Sequence, residues 1–168
     1  MIAILAHEAD GGIGFKNTLP WGSIQKDMEH FVNITRGKIV IMGSKTFESL
    51  GCKPLPRRNN LVLTRDVKKA QEKHAVVLGV NKFDLKFCDD NVLKIIIANK
   101  DKSENAVVIG GAEIYKQLTP HCEEVYVTEI KAKYECDAFI DKQVLLRGFT
   151  DEEIIYEDEE IIIKKYFN

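Results

Sequence analysis

Asp27 is the residue whose surroundings most need explaining. Ile24, Met28, Phe31 and Thr35 recur at i, i+4, i+7 and i+11, so a helix is predicted over 24–35 with this stripe toward the core. Asp27 lies on the same stripe, i+3 from Ile24 and i−4 from Phe31. An acid on an apolar helix face is costly unless it is paired, hydrogen-bonded or neutralised, which makes it a candidate for proton handling. The plainer reading is that it favours the helix N-terminal dipole. Lys26, Glu29, Asn33 and Arg36 already supply a polar face, and on this helix alone both readings stand.

Upstream runs Asp10-Gly11-Gly12-Ile13-Gly14-Phe15-Lys16-Asn17-Thr18-Leu19-Pro20-Trp21-Gly22. Glycines give the backbone freedom while Pro20 and Trp21 anchor one end, a composition suited to a lid that closes over a site and excludes water. A plain surface loop, with Trp21 simply packing ahead of the helix, is the alternative. Three apolar runs end in glycine or small hydroxyl residues: Ile41-Met42-Gly43-Ser44-Lys45-Thr46, Leu63-Thr64-Arg65, and Val108-Ile109-Gly110-Gly111-Ala112-Glu113. Glycine lets backbone approach a phosphate, and amides at a helix start, with Lys45 or Thr46, can bind it. None fits G-x-G-x-x-G or the P-loop pattern. If these turns converge at the carboxyl ends of one sheet, they form a dinucleotide crevice.

The elements that must position these groups are short. Strands are expected at 1–6, 38–42, 60–64, 75–78, 106–109 and 124–130, and helices at 44–50, 92–99 and 112–118 in addition to 24–35. Continuous β-branched runs suit strands covered on both faces, and their alternation with helices points to an open α/β sheet. Residues 152–155 and 160–166 are expected to form an antiparallel hairpin at a sheet edge, joined by Tyr156-Glu157-Asp158-Glu159. Seven of the ten residues from Asp151 to Glu160 are acidic, which suits a solvated edge that resists aggregation better than a docking surface.

The 168 residues, 45 % hydrophobic and 30 % charged, suit one globular domain over 1–168. No apolar run approaches the roughly 20 residues of a spanning helix, and the first six residues read as a strand rather than a signal peptide. A net charge of −2 argues against a nucleic-acid binder with a broad basic surface. Cys52, Cys88, Cys122 and Cys136 lack metal-finger spacing and are expected as free thiols in a reducing, cytosolic compartment, with no metal site.

In order and spacing, the following pieces together resemble the dihydrofolate reductase family over nearly the whole chain: Ile13-Gly14 with Leu19-Pro20-Trp21, Asp27-Met28 with Phe31, Ile41-Met42-Gly43-Ser44-Lys45-Thr46-Phe47-Glu48-Ser49-Leu50-Gly51, Leu55-Pro56-Arg57-Arg58-Asn59-Asn60, Val108-Ile109-Gly110-Gly111-Ala112-Glu113-Ile114-Tyr115, and Val125-Tyr126-Val127-Thr128. Leu-Pro-Trp-Gly followed by Lys26-Asp27 looks most like phage-type members. The resemblance implies an open, mostly parallel twisted sheet of about eight strands, with helices on both faces and the C-terminal hairpin. It implies NADPH-dependent reduction of dihydrofolate to tetrahydrofolate, serving one-carbon metabolism and thymidylate and purine synthesis. It further implies a monomer in the cytosol (the host's, if phage-encoded), inhibited by antifolates of the trimethoprim and methotrexate class, without nucleic-acid or membrane partners.

By the same resemblance, Asp27 is the carboxylate that binds the pterin and supports protonation at N5, and Thr128 is its hydroxyl partner. Leu19 is the lid residue over nicotinamide and pterin, and Trp21 holds an active-site water. Ile4, Ala6, Met28, Phe31, Leu50, Ile109 and Tyr115 line the substrate pocket, and Arg58 pairs with the substrate's glutamate carboxylate. Arg57 stands where glycine is usual. NADPH falls to Ala6, Ile13, Gly14, Asn17, Thr18, Gly43, Ser44, Lys45, Thr46, Leu63, Ile109, Gly110, Gly111, Ala112, Glu113 and Ile114, with Thr64 and Arg65 on the 2′-phosphate. Ser44 and Glu113 depart from basic residues found in relatives, which weakens the case for strong NADPH preference, and 79–105 is longer than in compact bacterial members. A same-fold reductase acting on a pyrimidine-type flavin precursor would need neither Asp27 nor Arg58. A catalytically idle nucleotide binder would have lost Asp27, the glycine pair or Trp21, and all are present.

Overall fold

A computed structural model describes residues 1–79 and 84–168. Ten strands are assigned among them: β1 Ile2–His7, β2 Gly12–Gly14, β3 Ile39–Gly43, β4 Asn59–Leu63, β5 Leu85–Cys88, β6 Ala106–Gly110, β7 Glu124–Ile130, β8 Ala138–Phe139, β9 Asp151–Glu157 and β10 Ile161–Phe167. The helices are α1 Gln25–Thr35, α2 Ser44–Ser49, α3 Val67–Lys73, α4 Ala75–Gly79, α5 Asp90–Ala98, α6 Lys100–Glu104, α7 Ala112–Leu118 and α8 Lys142–Leu145. Eight strands form one sheet in the order β5-β4-β3-β6-β1-β7-β10-β9, and β2 pairs separately with β8. The pairings from β5 to β7 are parallel, while β10 is antiparallel to both β7 and β9. The expected hairpin is therefore present with β9 as the edge, although β9 runs through Tyr156 and Glu157, so the turn begins only at Asp158.

Strand alternation explains why the apolar runs are continuous. Ile41, Leu61 and Leu63 pack with Leu93 and Ile96 of α5, Tyr115 and Leu118 of α7, and Leu145 of α8. Val40, Met42 and Val62, on the opposite face, pack with Phe47 of α2, Val67 and Ala70 of α3 and Val77 of α4. Both faces are covered by helices, so the central positions of these strands are apolar on both faces. Val40, Ile41 and Met42 have no exposed surface, and each contributes on the order of 1.5–3 kcal/mol by burial.

One element departs from the sequence expectation. Residues 75–78, expected as a strand, lie in α4, where Val76 is 82 % exposed and no residue is buried. The strand at this place in the sheet is β5, which pairs with β4 and whose apolar run is broken by the exposed Lys86. A four-residue apolar run reads alike as strand or helix turn, and the register with β4 decides between them. The helix expected at 92–99 is present as α5, capped by Asp89, whose carboxylate accepts from the Asn91 and Val92 amides.

Candidate active site

The strand order sets the site. From β3 the chain moves outward to β4 and β5, whereas from β6 it crosses β1 to reach β7. The winding reverses between adjacent strands β3 and β6, and a crevice opens at their carboxyl ends, where ligands of open α/β sheets bind. The expected convergence of the turns is present. Met42 is in register with Gly110, and Gly43 with Leu63. A Cβ on Gly43 would stand 3.1 Å from Ile114 Cγ1, and one on Gly111 3.5 Å from Thr46 Oγ1, so the two glycine turns pack against each other's helices. Gly110 has φ +120, and a Cβ there would lie 3.2 Å from the Tyr115 hydroxyl. Only glycine meets both conditions.

On the α1 side, Ala6 of β1 is in register with Thr128 of β7, and Thr128 is buried. Burial pushes the Asp27 carboxyl above its ordinary pKa, and the Thr128 hydroxyl, close to it, offsets part of that rise. Thr128 Oγ1 itself reaches no partner at ordinary hydrogen-bond geometry among the described residues. The Tyr115 hydroxyl donates to the Ile4 carbonyl (2.8 Å), and burial, with the Asp27 charge nearby, raises its pKa. Asp27, Thr128, Ile4, Ala6 and Tyr115 thus share one neighbourhood.

The expectation that the α1 stripe faces the core needs correction. Only Thr35 is buried on α1; Asp27 and Phe31 are half-buried, and Met28 is 40 % exposed. β1 presents only the small, half-buried Ala6 here, and beyond Ile24, which packs with Trp21, the stripe stays partly exposed. The stripe is therefore a half-open face and not a core face. At its far end Thr35 Oγ1 accepts from Arg58 Nε (3.1 Å) and Nη2 (2.9 Å), while Nη1 donates to the Pro56 carbonyl (2.8 Å). Three of the five guanidinium N–H groups are fixed and the others remain for a ligand. Asn60, fully buried, braces this loop by receiving the Leu55 amide and donating to the Leu55 and Arg58 carbonyls. Asp27 and Thr35 stand roughly 12 Å apart along the helix axis. Sequence reasoning placed Thr35 on the stripe but did not see it, or Asn60, as a holder of Arg58. Leu50 follows α2 and is half-buried against the Phe47 side of the core, whereas Arg57 is exposed at φ +58.

On the opposite side, Ser44 Oγ donates to the Leu63 carbonyl (3.2 Å), and Lys45 and Arg65 are exposed. Thr64 is half-buried beside Leu63 at the end of β4, and Ile109 and Ala112 are half-buried around the Gly110-Gly111 turn. Glu113 is exposed and accepts from Gln117 Nε2 (3.4 Å) one helical turn on.

The segment read as a glycine lid is more ordered than expected. Gly12–Gly14 pairs with Ala138–Phe139, and Phe15 and Thr18 close a tight turn whose central residues, Lys16 and Asn17, have φ +46 and +61. A Cβ on Gly11 would come within 2.9 Å of the Ile140 carbonyl, and one on Gly12 within 2.3 Å of Cys136 Sγ. These two glycines serve close approach to the 136–140 segment rather than flexibility. Ile13 packs on the core, and Leu19, beyond the turn, is 46 % exposed. Trp21 is buried with Ala6 and Ile24, and its Nε1 has no partner among the described residues. Sequence reasoning also missed Asp137, whose carboxylate accepts from the Lys16 amide (2.9 Å) across 121 positions.

A family model described as "Dihydrofolate reductase" matches residues 1–150. The type 8 dihydrofolate reductase of Escherichia coli is 36 % identical over 149 residues, 88 % of this chain and 83 % of that protein. The dihydrofolate reductase of Mycoplasma genitalium is 34 % identical over 167 residues, 99 % of this chain and 96 % of its own. A bifunctional dihydrofolate reductase-thymidylate synthase of Paramecium tetraurelia is 35 % identical over 143 residues, and the chain spans only 28 % of its length. Among solved structures, a dihydrofolate reductase from Enterococcus faecalis complexed with NADP(H) and RAB-propyl superposes with a TM-score of 0.74 at 26 % identity, covering 99 % of this chain and 94 % of that one.

Proposed function

The chain belongs to the dihydrofolate reductase family, and from that premise we propose that it reduces dihydrofolate to tetrahydrofolate with NADPH, with Asp27 as the residue that handles the proton. The observation that carries this reading is the half-buried Asp27 carboxyl beside Thr128, in a sheet whose β3 and β6 glycine turns meet at their carboxyl ends. A desolvated carboxyl is held partly protonated nearer neutrality than a free one, as a group serving N5 protonation at cellular pH requires. Asp27 and Thr128 orient the pterin through its N3 and 2-amino group. Arg58, held by Thr35 and Pro56, takes the glutamate carboxylate at the other end of the α1 wall. Ile4, Ala6, Met28, Phe31, Leu50, Ile109 and Tyr115 form the apolar walls between, and antifolates that mimic the pterin compete there.

The residues present fit NADPH. Gly43 and Gly110 leave little room for side chains, and with Gly111 they bring backbone amides to the crevice, as a pyrophosphate needs. Ser44, Lys45, Thr46, Ala112, Glu113 and Ile114 surround those amides, and Ala6, Ile13, Gly14, Asn17 and Thr18 face the nicotinamide end. Thr64 and Arg65 meet the 2′-phosphate beside Leu63. Bound NADPH supplies the hydride that reaches C6 of the pterin. Leu19 closes over that region and excludes bulk water, and the unpartnered Trp21 Nε1 holds a water near Asp27. Among the described residues no helix is long and apolar enough to cross a membrane; the proposed compartment is the cytosol.

The test is the absorbance of reduced nicotinamide followed with purified protein. Loss that requires dihydrofolate supports the reading; no dihydrofolate-dependent loss over a range of substrate and cofactor concentrations overturns it.

A further inference from the structure

Glu8, immediately after β1, is 1 % exposed, and no ion pair neutralises it among the described residues. Its carboxylate is satisfied by backbone instead. Oε1 accepts from the Asp10 amide (2.8 Å) and the Gly12 amide (2.9 Å), and Oε2 faces the Tyr134 amide (3.4 Å). One oxygen therefore holds the turn that leads into the lid, and the other reaches the segment after β7. Neither oxygen touches a group assigned to substrate or cofactor above.

Both tethered segments run to the active site. From Gly12 the chain enters β2, pairs with β8, and continues through the Lys16 amide bond to Asp137 into the lid. The Tyr134 ring packs edge-on against Trp21, with centroids 6.3 Å apart at 68°. Gly12 is wedged between Glu8 and Cys136, where a Cβ would lie 3.0 Å from Glu8 Oε1 and 2.3 Å from Cys136 Sγ. The carboxylate sits where the two segments touch, without slack.

We propose that Glu8 is a positioning residue for the reduction: its carboxylate clamps the 10–14 and 131–137 segments together, fixing the base of the lid and seating Tyr134 against Trp21. A buried carboxylate suits this place because it is acceptor-only and can meet three converging N–H groups. The inference rests on the dihydrofolate reductase reading, and the two fail separately: inactive wild-type protein ends that reading, whereas active wild type with indifferent Glu8 variants ends this one.

The test compares Glu8→Gln with Tyr134→Leu, wild type being the reference. Glutamine keeps one carbonyl oxygen for Asp10 and Gly12 but places an NH2 opposite the Tyr134 N–H, so it opens the bridge and spares the turn. Leucine keeps the Tyr134 amide and removes the ring from Trp21. Since Trp21 is the single tryptophan, its emission reports that contact directly. In Glu8→Gln, single-turnover hydride transfer is expected to fall about tenfold, with the dihydrofolate KM within about twofold of wild type. Trp21 emission shifts to the red, and Tyr134→Leu moves rate and emission the same way. Wild-type transfer rate and emission in Glu8→Gln overturn the proposal, as does a lowered melting temperature with an unchanged rate well below melting. If Glu8→Gln does not fold, Tyr134→Leu decides: unchanged transfer rate means that seating Tyr134 on Trp21 has no part in the reaction and overturns the clamp.

Discussion

Along α1 the site presents side chains held in place by regular elements: Asp27 and Phe31 on the helix, Thr128 on β7, and the loop residue Arg58 pinned by Thr35 of α1 and Asn60 of β4. Across the crevice, where β3, β4 and β6 end, it presents glycine turns and the exposed cations Lys45 and Arg65. The first wall fixes charged groups at reduced solvation, which shifts their proton affinity and makes each one costly to replace. The second offers many small contacts whose charges remain in water, where screening keeps any single one modest. On the proposed function, the chemistry is concentrated on one wall and cofactor binding is distributed over the other.

The hardest test of that contrast is Asp27→Asn. Turnover at neutral pH is expected to fall about 100-fold or more, the range of general acid–base contributions, with NADPH affinity little changed. Near wild-type turnover breaks the contrast. Stability should move the opposite way. The folded pKa of Asp27 is raised, so its contribution is fully present below the unfolded carboxylate pKa of about 3.9 and is lost as pH rises through the folded value. Asparagine escapes that loss, so at pH 7 the variant should melt no lower than wild type, any advantage fading in acid. In wild type, the rate should decline as pH rises through the raised pKa, because the protonated carboxyl is the proton donor's form.

Next in size is the arginine pair. Arg58→Ala should raise the dihydrofolate KM about 10- to 100-fold, whereas Arg57→Ala, exposed and unbraced, should change it by less than about threefold. Equal effects would mean that bracing by Thr35 does not select the ligand-binding arginine.

Smaller effects are expected across the crevice. Arg65→Ala should reduce the ratio of kcat/KM for NADPH over NADH by about tenfold, with kcat for NADPH nearly unchanged. An unaltered ratio places the 2′-phosphate elsewhere. Smallest of all, Glu113→Arg should alter that ratio by less than about twofold, since Glu113 is exposed and bonded to Gln117. A larger gain would show that the departures at Ser44 and Glu113 do weaken cofactor preference.

Much of the first wall was legible because burial leaves a period in sequence. Asp27 on an apolar stripe announced itself, and the strand runs of β1, β3, β4, β6 and β7 were readable because both sheet faces are covered. The stripe's period could not tell core from cleft, and so Met28 was expected inside. The run at 75–78 was expected as a strand and that at 85–88 was not recognised as one, because four residues carry too little periodicity to separate helix from strand. Glycines in the lid were read as freedom, but Gly11 and Gly12 answer to Ile140 and Cys136, far along the chain.

By itself, then, the sequence determined what is local: which of the longer apolar segments are strands and helices, which helix carries an acid on its apolar stripe, and which strands end in glycine. The order and spacing of these motifs identified the family. Tertiary structure alone decided which turns meet, since the adjacency of β3 and β6 follows from strand order and not from the composition of either. It decided likewise that Thr35 holds Arg58, that Asp137 receives the Lys16 amide, and that Glu8 joins the lid's base to Tyr134. Such partners leave no pattern along the chain, because a hydrogen bond across a hundred residues depends on where the sheet delivers two backbones, and periodicity records only which face of each one is buried.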